Sequence, residues 1–210
     1  MKNDERLRRT GLVPVVVIDD AADAVATAKA LSGGGVDIME ITLRTEAGLD
    51  AIANVSGSVA DVLVGAGTVL SLDKAKEAVK RGAGFVVSPG FDADIVNWCV
   101  DNGISVYPGC VTPTEITMAL KCGIDILKFF PSNVYGGVKA MKALAGPFPQ
   151  VMFIPTGGVD RGNLAEFAIP QVAAVGGGWL CPRGDIAERN FAHITEVCAE
   201  SVRILAGARG

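Results

Sequence analysis

Short apolar runs recur along the chain at residues 12–18, 37–42, 62–66, 85–88, 104–107, 124–129, 151–155 and 172–176. Their continuous Val, Ile and Leu content, without apolar–polar alternation, is what strands covered on both faces show. Between them lie segments with helical spacing and good helix formers, at 20–32, 71–81, 92–102, 114–122, 137–145 and 186–206. Gly33, Gly82, Gly103 and Gly123 close helical segments just ahead of the next strand, where each is expected to take positive φ. The unit of glycine, strand, loop and helix repeats about every 20 to 25 residues. Parallel strands need such crossovers, and eight of them close a barrel.

The pattern therefore predicts an α/β chain folded as a (β/α)₈ TIM barrel, one domain over residues 1–210, with an extra N-terminal helix. In that helix Arg6, Arg8 and Arg9, balanced by Asp4 and Glu5, read as a solvated face. The competing architecture is an open doubly wound sheet. No G-x-G-x-x-G follows the first strand, and Gly65-Ala66-Gly67 after the third opens no full fingerprint.

Composition narrows the function. Half of the 210 residues are hydrophobic, a fifth are charged, and the net charge is −4. A nucleic-acid binder needs clustered cations, so nucleic acid is not an expected partner. No apolar run approaches the roughly 18 residues that span a bilayer, and no signal peptide is evident, so no membrane partner is expected. Cys99, Cys110, Cys122, Cys181 and Cys198 are odd in number and contain no C-x-x-C pair, which fits reduced thiols in the cytoplasm. Cys110, at a strand exit, is the one thiol placed near the expected site. The sole histidine, His193, lies in the last helix, and no metal-ligand constellation is evident. Trp98 and Trp179 read as core or interface residues.

In a parallel barrel, active sites are built at the C-terminal ends of the strands, so polar residues that interrupt or end the apolar runs are informative. Glu40 lies inside Ile38-Met39-Glu40-Ile41-Thr42, with Arg44 just beyond. Its functional reading is a general base beside a cation, and its bland one a structural ion pair. Lys128 lies inside Ile126-Leu127-Lys128-Phe129-Phe130-Pro131. Such surroundings desolvate an ammonium and favour the neutral amine that attacks a carbonyl. A lysine snorkelling from a strand end to solvent is an equal alternative on pattern alone. Glycine and proline at other strand exits, as in Ser88-Pro89-Gly90, suit tight turns and close approach to a ligand. Thr156-Gly157-Gly158 and Gly176-Gly177-Gly178 follow strands seven and eight, where barrels commonly cradle phosphate on backbone N–H groups.

Five segments, in order and at compatible spacing over nearly the whole chain, resemble the 2-keto-3-deoxy-6-phosphogluconate / 4-hydroxy-2-oxoglutarate aldolases. They are Met39-Glu40-Ile41-Thr42-Leu43-Arg44-Thr45, Val64-Gly65-Ala66-Gly67-Thr68-Val69-Leu70, Ser88-Pro89-Gly90, Leu127-Lys128-Phe129-Phe130-Pro131 and Pro155-Thr156-Gly157-Gly158-Val159. The resemblance implies a (β/α)₈ barrel, a homotrimer, and a class I aldolase needing no metal or other cofactor. It implies that Lys128 forms the Schiff base and that Glu40 transfers protons. Arg44 and Thr68 are similar to residues that hold the pyruvyl carboxylate, and Pro89 and Phe130 to residues lining the pocket. Thr156, Gly157, Gly158, Gly177 and Gly178 match segments around the distal phosphate.

The partners implied are a 2-keto acid and an aldehyde, with cleavage to pyruvate and glyceraldehyde 3-phosphate, or to pyruvate and glyoxylate. Two departures bear on the substrate: Gly178 precedes Trp179 where many members carry serine, and Pro131 to Gly137 differs from a Pro-Ala-Glu version. The alternatives are a galactonate-type or unphosphorylated keto-acid aldolase, a phosphosugar isomerase or epimerase, and a non-catalytic sugar-phosphate-binding barrel.

Overall fold

The computed structural model describes residues 3–209. Eight short strands appear: β1 (Leu12–Val16), β2 (Ile38–Thr42), β3 (Leu63–Gly67), β4 (Phe85–Ser88), β5 (Ser105–Pro108), β6 (Ile126–Phe129), β7 (Met152–Pro155) and β8 (Val175–Gly177). All pairings are parallel, in a curled six-stranded sheet ordered β5-β4-β3-β2-β1-β8 and a pair β6-β7. Parallel bridges Gly109↔Lys128, Phe153↔Val172 and Thr156↔Gly176 join the two, so the strands follow one another around a ring.

Burial explains why the strands lack alternation. Outward residues such as Val16, Met39, Ile41, Ala66, Leu127 and Phe153 pack with the helices in one core, while Val13, Ile38, Phe85, Val87, Tyr107, Ile126 and Ile154 fill the ring's interior. Both faces are thus dry.

The helices are α1 (Asp4–Thr10), α2 (Ala24–Gly33), α3 (Gly48–Ser58), α4 (Leu72–Lys80), α5 (Ala93–Asp101), α6 (Pro113–Lys121), α7 (Gly137–Ala145), α8 (Arg183–Ala187) and α9 (Phe191–Arg209). Ser71 and Asp92 cap α4 and α5 through their side chains, and Thr112 with Glu115 forms a capping box on α6. The chain after β7 makes only a 3₁₀ turn, Leu164–Phe167.

Four expectations need correction. Gly33 is the last residue of α2, and the positive φ falls on Gly35 instead, whereas Gly82, Gly103 and Gly123 do adopt it. The segment 186–206 is two helices, because Arg189 turns the chain with φ 55° between α8 and α9. Helix α3 belongs to no predicted segment; glycines at its start and at Gly57 weaken its pattern. The N-terminal helix is solvated on one side only. Leu7 is buried with the ring-interior residues, and the Tyr107 hydroxyl donates to Asp4 at 3.0 Å. Arg6 and Arg9 pair with Asp37 beside β2.

Candidate active site

β2 and β6 each place one charged side chain where the ring is driest. All five residues of β2 and all four of β6 are buried. The Lys128 Nζ donates to Glu40 Oε1 at 3.2 Å, with Glu40 3% and Lys128 6% exposed. Eighty-eight positions separate them in sequence. A buried amine facing a buried carboxylate at hydrogen-bond distance has a proton acceptor at hand, as a nucleophile needs. The Phe130 ring centroid lies 5.4 Å from Nζ and covers the amine on another side.

Arg44 follows β2 in a turn and is exposed, with no hydrogen bond or ion pair among the described residues. Glu40 is therefore paired with the lysine, and the guanidinium is left open to a ligand. Thr68, just past β3, holds φ 56°. A β-branched residue in that region is strained by roughly 1–3 kcal/mol, and such strain gathers at ligand sites.

A cleft of about 310 Å³ opens beside this pair, lined among others by Arg44, Phe130, Thr156, Gly157, Gly158, Gly177, Gly178 and Arg183. Seven of these eight, all but Arg183, are residues picked out in the sequence. Gly157 and Gly158 hold φ 93° and 71°, which only glycine adopts without strain. Neither N–H makes a hydrogen bond among the described residues, so both are available to an oxyanion. Pro89 lies elsewhere, in a separate groove with Leu70, Phe91 and Ile95. Lys128, Glu40 and Thr68 are not on the cleft wall, and Phe130 links the pair to it.

Sequence reasoning passed over Arg183 at the start of α8. Its guanidinium forks onto Asp19 with two bonds of 2.6 Å. That bonding holds the Asp19 carboxyl below its usual range. No local signal marks a pair 164 residues apart. It also passed over Ser132, whose buried hydroxyl has no partner among the described residues.

Cys110 is buried, and burial, aided by the Glu115 charge, pushes its thiol up to about 12, so it offers no thiolate near neutrality. His193 is exposed at α9 and meets Asp185 at 2.9 Å. Trp179 stacks over Gly177 and donates to Ser201 at 3.3 Å. No helix of the described residues is long and apolar enough to cross a membrane, and no three His, Cys, Asp or Glu among them converge as metal ligands.

A family model described as KDPG and KHG aldolase matches residues 3–197. The chain is 44% identical over 202 residues to a 2-dehydro-3-deoxy-phosphogluconate aldolase of Treponema pallidum (strain Nichols), covering 96% of each. It is similar in structure to the KDPG aldolase of Legionella pneumophila, solved with pyruvate captured at low pH as a covalent carbinolamine intermediate. That likeness has a TM-score of 0.91 at 36% identity, over 95% of this chain and 97% of that one. The Zymomonas mobilis ZM4 2-keto-3-deoxy-6-phosphogluconate aldolase, solved with 3-phosphoglycerate, gives a TM-score of 0.88 at 36% identity over 96% of each chain.

Proposed function

The chain belongs to the KDPG and KHG aldolase family of carbon–carbon lyases, and from that premise we propose which residues perform the cleavage and on what. The observation that carries the assignment is the buried 3.2 Å contact between Lys128 and Glu40. Lys128, having passed its proton to Glu40, attacks the C2 ketone of a 2-keto-4-hydroxy acid. Glu40 returns that proton to the carbinolamine hydroxyl, which leaves as water, so that a protonated imine and a free carboxylate remain. Glu40 then takes the C4 hydroxyl proton; the C3–C4 electron pair flows into the imine, the aldehyde departs, and an enamine remains. Return of a proton to C3, then hydrolysis of the imine, releases pyruvate and the free amine.

The unpaired Arg44 grips the substrate carboxylate in a two-pronged hydrogen bond, with the Thr68 hydroxyl beside it, and fixes C2 at bonding distance from the amine. Phe130 walls the reacting carbons from solvent. The free N–H groups of Gly157 and Gly158, with Thr156, Gly177 and Gly178, receive the distal phosphate of 2-keto-3-deoxy-6-phosphogluconate, which makes glyceraldehyde 3-phosphate the second product. Cleavage of 4-hydroxy-2-oxoglutarate to pyruvate and glyoxylate needs the same carboxylate grip and imine, without the phosphate cradle.

One observation favours a second reading, an aldolase of unphosphorylated keto-deoxy acids. A β-carbon at Gly178 meets only the Val15 carbonyl, at 3.7 Å, so the serine hydroxyl common in the family would fit but is absent. Pyruvate release across phosphorylated and unphosphorylated 2-keto-4-hydroxy acids separates the two. A preference of kcat/KM for the phosphorylated member supports the first.

We read the ring as a closed (β/α)₈ barrel of one domain, with α1 as the extra N-terminal helix against its interior residues. The assembly implied is a homotrimer; exposed Leu70, Val134 and Tyr135 are apolar surface that such an assembly would cover. Sedimentation tests it. We place the enzyme in the cytoplasm, in keeping with five unpaired cysteines.

A further inference from the structure

We propose that Gly67 is a positioning residue for Glu40, and that its missing side chain sets the distance between the carboxylate and Lys128. The inference rests on the proton-transfer role given to Glu40. In the register of β2 with β3, Glu40 faces Gly65 and Thr42 faces Gly67. Glu40 and Gly67 thus point to the same side, one step apart along the strand. A β-carbon on residue 67 would stand 2.1 Å from Glu40 Oε1, 2.4 Å from its Cγ and 2.6 Å from its Cδ. The backbone there is not in the left-handed region, so the strand itself accepts an alanine. Glycine is required at this position for space alone.

A carboxylate is the mobile end of a side chain and normally steps aside for a methyl group. Here it cannot do so freely. Glu40 is 3% exposed, and the oxygen that meets the new carbon is the one bonded to Lys128. Any retreat from residue 67 lengthens or bends that 3.2 Å contact. Gly65, two residues earlier on the same strand, supplies the contrast. A β-carbon there would meet three ring atoms of Phe85 at 2.4 Å, in the ring's apolar filling and with no atom of the pair. Two glycines of one strand therefore divide their duties: Gly65 admits a core ring, and Gly67 admits the proton carrier.

The test compares Gly67→Ala, Gly65→Ala, Glu40→Asp and the double variant Gly67→Ala/Glu40→Asp. Three quantities are read: the fraction of enzyme trapped by borohydride with saturating pyruvate, the rate at which pyruvate methyl protons exchange with deuterium oxide, and the thermal midpoint. Gly67→Ala is expected to keep its trapped fraction while exchange slows about 10²-fold, the order for a misplacement near 1 Å. Gly65→Ala is expected to lower the midpoint and leave exchange per trapped enzyme unchanged. In the Glu40→Asp background, whose carboxylate is one methylene shorter, adding Gly67→Ala is expected to slow exchange by less than about threefold, since two changes sharing one contact are not additive.

The inference is overturned if exchange in Gly67→Ala equals that of the unmodified enzyme, if trapping and exchange fall together, or if the two losses multiply in the double variant. Should Gly67→Ala fail to fold, recovery of folding in the double variant supports the clash with the carboxylate, and no recovery overturns it. Absence of trapping in the unmodified enzyme defeats the imine mechanism itself and is distinct from all of these.

Discussion

The Lys128–Glu40 pair and the cleft of the last two loops lie at the same end of the barrel but are built on opposite principles. The pair is two charged side chains from non-neighbouring dry strands, held at 3.2 Å and nearly without solvent. The cleft is largely backbone, left-handed glycines and free N–H groups, with exposed arginines beside them. Charges in a low dielectric interact strongly and tolerate little change. Amides and exposed guanidiniums in water contribute less each, and share the load. On the proposed assignment, reaction chemistry is concentrated in a few irreplaceable atoms, whereas selection of the far end of the substrate is distributed.

If that contrast is right, the largest losses come from the pair. Lys128→Met is expected to abolish measurable pyruvate release. It also removes one partner of a buried pair, which destabilises the fold by about 3–5 kcal/mol, readable as a lower denaturation midpoint. Glu40→Gln is expected to retain imine trapping while steady-state cleavage falls about 10²- to 10⁴-fold. Cleavage undiminished in that variant would remove Glu40 from the proton path. Arg44→Leu comes next. Loss of a charge-assisted grip on the carboxylate, worth about 1.5–3 kcal/mol, should raise KM for every keto acid tested by about ten- to 150-fold.

Changes in the cleft should be smaller and should discriminate between substrates. Arg183→Leu is expected to raise KM for phosphorylated substrates by up to about tenfold and leave unphosphorylated ones unmoved, because two of its five donors are already committed to Asp19. An equal effect on both substrate classes would sever Arg183 from the far end. Smallest of all is the effect of thiol reagents on activity. Burial pushes Cys99, Cys110 and Cys198 up to about 12 and raises Cys181 as well, leaving half-buried Cys122 as the first site of alkylation near neutral pH, by mass mapping.

The same contrast explains what was legible in the sequence. Lys128 and Glu40 stand out because a charge inside a run of Ile, Leu and Phe on a strand buried on both faces is expensive unless used or paired. What the run could not say is that the two meet each other, leaving Arg44 unpaired. The strands were legible for the same reason, since their apolar content is set locally. The break at Arg189 was not, because the residues on either side of it keep helical spacing. Nor was the Asp19–Arg183 fork, which depends on the ring bringing β1's exit to α8. Pro89 was marked by its place at a strand exit and by the resemblance, and in the structure it lines a separate groove with Leu70 and Phe91. Gly67 looked like part of a turn at a strand exit; its neighbour across the sheet, rather than its own φ, accounts for it.

The measurement that tests the account most directly is borohydride reduction in the presence of pyruvate, followed by mass mapping of the lysine peptides. The account predicts one reduced pyruvyl adduct per chain, on Lys128, absent from Lys128→Met and retained in Glu40→Gln. No adduct, or an adduct on a lysine other than Lys128, would contradict it.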